Sequence, residues 1–475
     1  MTALEWQVAA NHAADLGDSA TVVYALRRAL ALDDSESALH QALITSLDIL
    51  PYASDATKCR AREAFNQKFV LPIMRSASRS YTNVPDPIRK LRVGYVSSDL
   101  YASSAAFCHG ALILGSDREQ CQLYVYASAS LRMKPDDPVQ PVFRAAADVW
   151  QDVTALTNEQ IAALIRQDQI DILVDLGGYS SGSRMLVFAH RPAPIQITGW
   201  GHATGTDLSC FDYTVADPTT IPPEDEHRHR EAILRVPSII IYIPTHPGED
   251  PTPHPITYQP TDHVRFGYLG RPEKIAPDCL AVWADILHAV PGSTLTLKSI
   301  AWQDEHRRAR ILIPLGAHGI SSDRVIFYGE SNNAPHMAIY NEIDVHLDSF
   351  YHSGGVTMMD TCWMGVPSVT LLGSAVSGRV GASILTTLGE SQNVAESVRE
   401  YRDIAVTLAR CALTHTHTFG RDQMRRRMYD SVLCNQHAYA TAVEGGYRAA
   451  WQRWCAAQVG LPNANRSHQG QLVAV

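Results

Sequence analysis

From residue 91 onward, short strands rich in β-branched residues alternate with amphipathic helices, and the pattern runs twice. The first run holds "LRVGYVS", "QLYVYASA", "IDILVDL", "PIQITGW" and "YTVAD", with helical stretches such as "TNEQIAALIRQDQ" among them. The second holds "VRFGYLG", "TLTLKS", "RVIFYG", "DVHLDS" and "SVTLL", with helices predicted over 276–290, 302–315, 334–341 and 355–364. Such alternation specifies a parallel sheet covered on both faces. Between the runs lies "PTHPGEDPTPHPITYQPTDH", residues 244–263, proline-rich and poor in apolar residues, which reads as a linker. The expected fold class is therefore α/β, with two doubly wound domains facing a cleft.

Ahead of them, residues 1–85 read as helical. Val22, Leu26, Ala29 and Leu30 fall on one helix face, as do Leu39, Leu43, Leu47 and Leu50. The stretch "ADLGDSATVVYALRRALALDDSESALHQALI" resembles one tetratricopeptide repeat. A single repeat cannot bury its own apolar face, so this segment is expected to pack on the domain behind it or to receive a protein partner. The expected boundaries are 1–85 for the helical segment, 86–245 for the first α/β domain, 246–263 for the linker, 264–455 for the second α/β domain with a closing C-terminal helix, and 456–475 for a flexible tail.

Composition narrows the function classes. A net charge of −9 and a pI near 6.1 argue against a nucleic-acid partner, which calls for a basic footprint. No apolar run approaches a membrane span. The 9 cysteines are scattered, odd in number and never in a C-x-x-C pair, and no signal peptide is visible; a reducing, cytoplasmic setting is expected. His227-x-His229 and His415-x-His417 lack a third ligand at tight spacing, so no metal site is expected.

Chemistry concentrates in "DVHLDSFYHSGGVTMMD". Ligands of doubly wound folds sit beyond the carboxyl ends of strands, near helix N-termini. Gly354 and Gly355 let a backbone approach a ligand closely, and the helix start behind them is an anion site suited to a pyrophosphate. A tight turn without a ligand would read the same. Thr357 adds a hydroxyl, and Asp360, flanked by Met358, Met359, Cys362 and Trp363, needs either ribose hydroxyls or an arginine such as Arg379. Lys274, in a loop after a strand, can reach phosphate oxygens. His336 also follows a strand end, where an imidazole can stack on a base.

Taken together and in order, these stretches resemble the O-GlcNAc transferase/SPINDLY family, glycosyltransferase family 41. The resemblance is carried by "LRVGYVSSDL", "IDILVDLGGYSSGSRMLVFAHRPAPIQITGWGHATGTDLSCFDYTVADP", "EKIAPDCLAVWADILHAVPGS" and "YNEIDVHLDSFYHSGGVTMMDTCWMGVPSVTLLG", over roughly residues 50–455. It implies a GT-B fold of two Rossmann-like domains and sugar transfer from a nucleotide sugar, UDP-GlcNAc above all, to Ser or Thr hydroxyls of a protein or peptide, without a metal or other cofactor. Matched positions imply that Lys274 contacts the diphosphate, His336 lies beside the base, Gly354, Gly355, Val356 and Thr357 hold the pyrophosphate, and Asp360 holds the ribose. His109 falls near a cleft histidine of the animal enzymes. Where those enzymes have His, His and Gln, this chain has Asp171, Gly355 and Arg271, so Asp171 joins His109 as an acceptor-side candidate and Arg271 joins the donor pocket. GDP-fucose as donor, glucose transfer to Asn, and a non-catalytic nucleotide-sugar-binding adaptor stay open.

Overall fold

Both alternating runs fold into parallel sheets. The structure is a computed structural model that describes residues 1–130, 132–200, 205–244, 253–416, 420–458 and 472–473. The chain forms two compact units, one comprising Asp34–Thr45, Ser54–Pro251 and Val432–Val475, the other Met1–Asp33, Ser46–Ala53 and Thr252–Ser431.

The first unit's sheet contains β1 (Leu91–Ser97), β2 (Cys121–Ala127), β3 (Val149–Asp152), β4 (Ile172–Asp175), β5 (Ile195–Thr198), β6 (Tyr213–Ala216) and β7 (Ala232–Arg235). In the second unit are β8 (Arg265–Tyr268), β9 (Thr294–Lys298), β10 (Val325–Tyr328), β11 (Val345–Leu347), β12 (Ser368–Leu371) and β13 (Val394–Ala395). A last short strand, β14 (Leu472–Val473), lies parallel to β7. The strand orders are 14-7-6-5-4-1-2-3 and 10-9-8-11-12-13. In each sheet the first strand sits between its sequence successor and a later strand, so the connections diverge there: between β1 and β4, and between β8 and β11. These are the switch points where doubly wound folds bind ligands. β4 and β11 are buried along their whole length, as strands covered on both faces must be.

The N-terminal segment is helical, and its first two helices, Ala3–Asp15 and Ser19–Leu32, pack as a hairpin. Thr2 and Glu5 form a capping box on the first, and Asp18 caps the second. Gly17, at φ +71°, makes the turn. The hairpin does pack on a domain behind it: Arg310 Nη1 donates to the Leu16 carbonyl at 2.5 Å, and the Tyr52 hydroxyl, farther along the helical segment, donates to Asp278 at 2.8 Å. The described part of the proline-rich linker, 253–263, forms no helix or strand. It is held by Tyr258, whose hydroxyl donates to Asp344 at 2.7 Å and whose ring lies 3.6 Å from the Arg421 guanidinium.

The C-terminal helix, Gln436–Gln458, differs from the expectation that it closes the second domain. Its stripe of Tyr439, Val443, Tyr447 and Trp451 is part of the first unit's core, beside Val93, Leu123 and Ile197. Trp200 Nε1 donates to the Tyr439 hydroxyl at 2.9 Å. An amphipathic period reveals a buried face but not which sheet buries it. This helix also extends past residue 456, where the tail was expected to start; 459–471 and 474–475 lie outside the described residues. Among the described residues no helix is long and apolar enough to cross a membrane.

Candidate active site at the second switch point

Two loops border the switch point of the second unit. The loop after β8 carries Arg271 and Lys274 around a short 3-10 turn, Pro272–Lys274. The loop after β11 runs from Asp348 to Gly355 and feeds the helix Val356–Trp363. Lys274 and the glycine loop lie 79 residues apart in sequence, yet Lys274 Nζ donates to the Ser353 carbonyl at 2.7 Å. Ser353 is buried; its N–H and hydroxyl both donate to the Ser377 carbonyl, and its hydroxyl accepts the Gly381 N–H at 3.1 Å. The lysine is thereby tethered to a loop that is itself anchored to the next helix.

The helix start carries the free donors. Its backbone ladder begins at Met359, whose N–H donates to the Gly355 carbonyl at 3.0 Å. The N–H groups of Gly355, Val356, Thr357 and Met358 have no acceptor among the described residues, nor has the Thr357 hydroxyl. Four orphan amides at the positive end of a helix form a site for an anion. Gly354 differs from its neighbours: its N–H goes to Asp348 Oδ1 at 2.8 Å. A Cβ there would lie 3.1 Å from that same oxygen, so Gly354 shapes the loop and Gly355 begins the donor set.

Asp360 follows one turn later and is buried. His336 is half-buried on the helix Asn333–Ile339, its ring meeting Tyr340 edge-on at 5.8 Å. The Tyr340 hydroxyl donates to the Thr357 carbonyl at 3.4 Å; burial, with the Asp360 carboxylate second, pushes its pKa well up. Tyr340 thus links His336 to the glycine-loop helix. Arg271 is exposed, and its carbonyl accepts the Tyr268 hydroxyl at 3.1 Å. Lys274, Arg271, Gly354, Gly355, Val356, Thr357, Asp360 and His336 therefore all belong to this neighbourhood of the second unit.

The two first-domain candidates are both wholly buried. Asp171 precedes β4, at the amino end of the sheet, opposite the ligand-binding edge. Its carboxylate, wholly buried, accepts from Arg89 Nη1 at 2.7 Å, Arg89 Nη2 at 2.5 Å, the Arg92 N–H at 2.8 Å and Asn83 Nδ2 at 2.7 Å. In the second unit Asp344 holds the same position before β11, accepting from the Arg265 N–H at 2.7 Å and from the Arg265 guanidinium at 2.9 Å. Burial opposes the ionised Asp344, but its bonds from Arg265 and Tyr258 outweigh this and lower its pKa. These bonds fasten Asp171 to the amino end of the sheet. His109 ends the helix Ser104–His109, wholly buried, with neither ring nitrogen hydrogen-bonded. Burial pushes its pKa down to about 3, which makes it a neutral, weak base, and we give it no step.

Of the two His-x-His pairs, His227 Nδ1 contacts the Glu224 carbonyl at 2.7 Å, burial lowers the pKa of His229, and His417 lies outside the described residues. Among the described residues no group of three His, Cys, Asp or Glu side chains could hold a metal. All nine cysteines are free thiols.

Sequence reading missed two buried aspartates, Asp175 and Asp348, at the carboxyl ends of β4 and β11. The signal was a repeated pattern, "DILVD" and "DVHLD". Asp175 Oδ1 accepts the Gly177 N–H at 3.0 Å and Oδ2 the Thr198 hydroxyl at 2.9 Å; Asp348 takes the Gly354 N–H and the Thr370 hydroxyl in the same way. Burial, only partly offset by these bonds, raises the pKa of each to about 6. A carboxyl raised in the fold stabilises it below the unfolded pKa near 4, and this is lost as pH rises through 6. Asp175→Asn removes the titration, so its destabilisation should shrink by roughly 2–3 kcal/mol between pH 4 and pH 7. Chemical denaturation of both proteins across that range checks this.

Comparison with known proteins decides the family. The model of glycosyl transferase family 41 matches residues 69–246 and 256–443. The chain belongs to glycosyltransferase family 41. A curated relative from Arabidopsis thaliana, SPINDLY, described as a probable UDP-N-acetylglucosamine–peptide N-acetylglucosaminyltransferase, is 31% identical over 385 residues, 80% of this chain and 41% of the relative. The SPINDLY protein of Oryza sativa subsp. japonica is 30% identical over 441 residues, 91% of this chain and 46% of the relative. The chain thus spans less than half the length of these relatives. Among solved structures, a lysine-to-methionine mutant of Thermobaculum terrenum O-GlcNAc transferase superposes with a TM-score of 0.86 at 29% identity, covering 94% of this chain and 84% of that one. This family-41 chain has the GT-B fold class that its sequence resemblance implies.

Proposed function

We propose that this family-41 chain transfers a sugar from a nucleoside diphosphate sugar, UDP-GlcNAc first, to Ser or Thr hydroxyls of a protein or peptide, with inversion and without a metal. The observation that carries the reading is the convergence of Lys274 on the loop before four unspent amides, with Asp360 one turn beyond. In this reading the N–H groups of Gly355, Val356 and Thr357 and the Thr357 hydroxyl hold the pyrophosphate, and Gly354 gives the loop its close approach. Asp360 accepts from the ribose hydroxyls, His336 flanks the base, and Arg271 borders the donor pocket. An acceptor hydroxyl oxygen attacks the anomeric carbon from the face opposite the diphosphate. As that bond forms, the bond from the carbon to the diphosphate oxygen breaks, its electron pair leaves with the diphosphate, and the acceptor hydroxyl's proton passes to solvent water. Lys274 and the helix-start amides face the charge that develops there and stabilise it without reorganising. The helical N-terminal segment is the proposed place for a protein partner, and a cytoplasmic setting suits the nine free thiols.

A thermal-shift panel of UDP, UDP-GlcNAc, UDP-glucose and GDP-fucose tests the donor. Ligands that bind the native state raise Tm by mass action, so the UDP compounds should raise it at 100 times their Kd by the equivalent of about 2.7 kcal/mol. A response to GDP-fucose alone would replace the donor. Binding of UDP-GlcNAc with no transfer to any protein would favour the adaptor reading.

A further inference from the structure

We propose that Asp348 is a positioning residue of the diphosphate loop, acting through the Gly354 backbone to aim the free amides of 355–358. The proposal deepens the nucleotide-sugar reading and rests on it for the identity of the ligand. Asp348 directly follows β11 and is fully buried, an expensive place for a carboxylate that no step of transfer uses. Its two oxygens are divided between two elements. Oδ1 accepts the Gly354 N–H at 2.8 Å; Oδ2 accepts the Thr370 hydroxyl of β12 at 2.7 Å. Its own carbonyl accepts the Tyr401 hydroxyl at 2.7 Å, which fixes the strand end. Two glycines make room for it. A Cβ on Gly381 would lie 2.6 Å from Oδ2 and 2.8 Å from Thr370 Oγ1; one on Gly354 would lie 3.1 Å from Oδ1. The loop therefore closes around this carboxylate, and the bond to Gly354 fixes the peptide immediately before the donor set. The spacing also sets Ser353, the tether of Lys274, so one side chain registers both halves of the anion site.

The first unit supplies a matched control. Asp175 is buried at the equivalent strand end and accepts from Gly177, Gly178 and Thr198. Asp348→Ala and Asp175→Ala remove the same kind of anchor from different units of the full chain. For each variant and the wild type, UDP affinity is measured by calorimetry and, without ligand, the hydrogen exchange of peptides spanning 349–358. Asp348→Ala should weaken UDP binding at least tenfold and speed exchange in that segment at least tenfold, while Asp175→Ala leaves both within twofold. Should Asp348→Ala not fold, Thr370→Val releases the second anchor and should weaken UDP binding at least threefold, with Thr370→Ser restoring it. UDP affinity and loop exchange within twofold of wild type in Asp348→Ala, or in Thr370→Val in its place, would overturn the proposal. So would equal losses of affinity in both alanine variants. Loop protection lost in Asp348→Ala alone, with a wild type that binds neither UDP nor GDP, would overturn the nucleotide reading and support the loop-setting role.

Discussion

Lys274→Ala is expected to lower kcat for sugar transfer by about 10²–10³-fold, the usual loss when one preorganised donor is removed from a developing anion. The fold should survive. Lys274 is half-buried, and its hydrogen bond to the Ser353 carbonyl makes a net contribution on the order of 1 kcal/mol. The helix-start amides remain, so ground-state donor binding should fall less than turnover. Steady-state kinetics with labelled UDP-GlcNAc, alongside Tm, checks both halves. Full activity in the variant would remove Lys274 from the mechanism.

Arg89→Ala should have the largest effect on stability. It strips Asp171 of a two-pronged partner inside the protein, and also removes a guanidinium that lies 4.6 Å from the Trp451 ring centre. Breaking one side of a buried pair leaves an uncompensated charge and costs about 3–5 kcal/mol. Denaturant unfolding reads that loss. The same experiment tests Asp171: a residue that fastens the sheet, when changed to Asn, should alter stability and leave kcat per folded molecule within a few-fold. A loss of 10²-fold or more at unchanged stability would return Asp171 to acid–base chemistry.

Much of this architecture could be read from the sequence because the strands are short, apolar and punctuated. "LRVGYVS" became β1 over the same residues, and "DVHLDS" became β11 with its loop. β3 and β7 were not foreseen. "VWQD" is only half-buried, and "AILR" follows a polar 3-10 turn, so neither shows a continuous apolar run. The donor loop was legible because glycines before a helix and a lysine after a strand carry position as well as chemistry. The surroundings of Asp171 were hidden for the opposite reason. The resemblance set it where the animal enzymes have a histidine, whereas its hydrogen bonds come from Arg89 and Asn83, distant in sequence and visible only once β1 and β4 pair. Gly354 was read as a phosphate donor, yet its N–H is spent on Asp348, a partner six residues back that no periodicity reveals.

In the proposed function a nucleoside diphosphate rests on the start of the helix Val356–Trp363. A crystal structure of the chain with UDP would show whether it does. Phosphate oxygens are expected within hydrogen-bond distance of the N–H groups of Gly355, Val356 and Thr357 and of Lys274 Nζ, with the ribose hydroxyls on Asp360. UDP bound anywhere else on the chain, with those amides facing solvent, would contradict it.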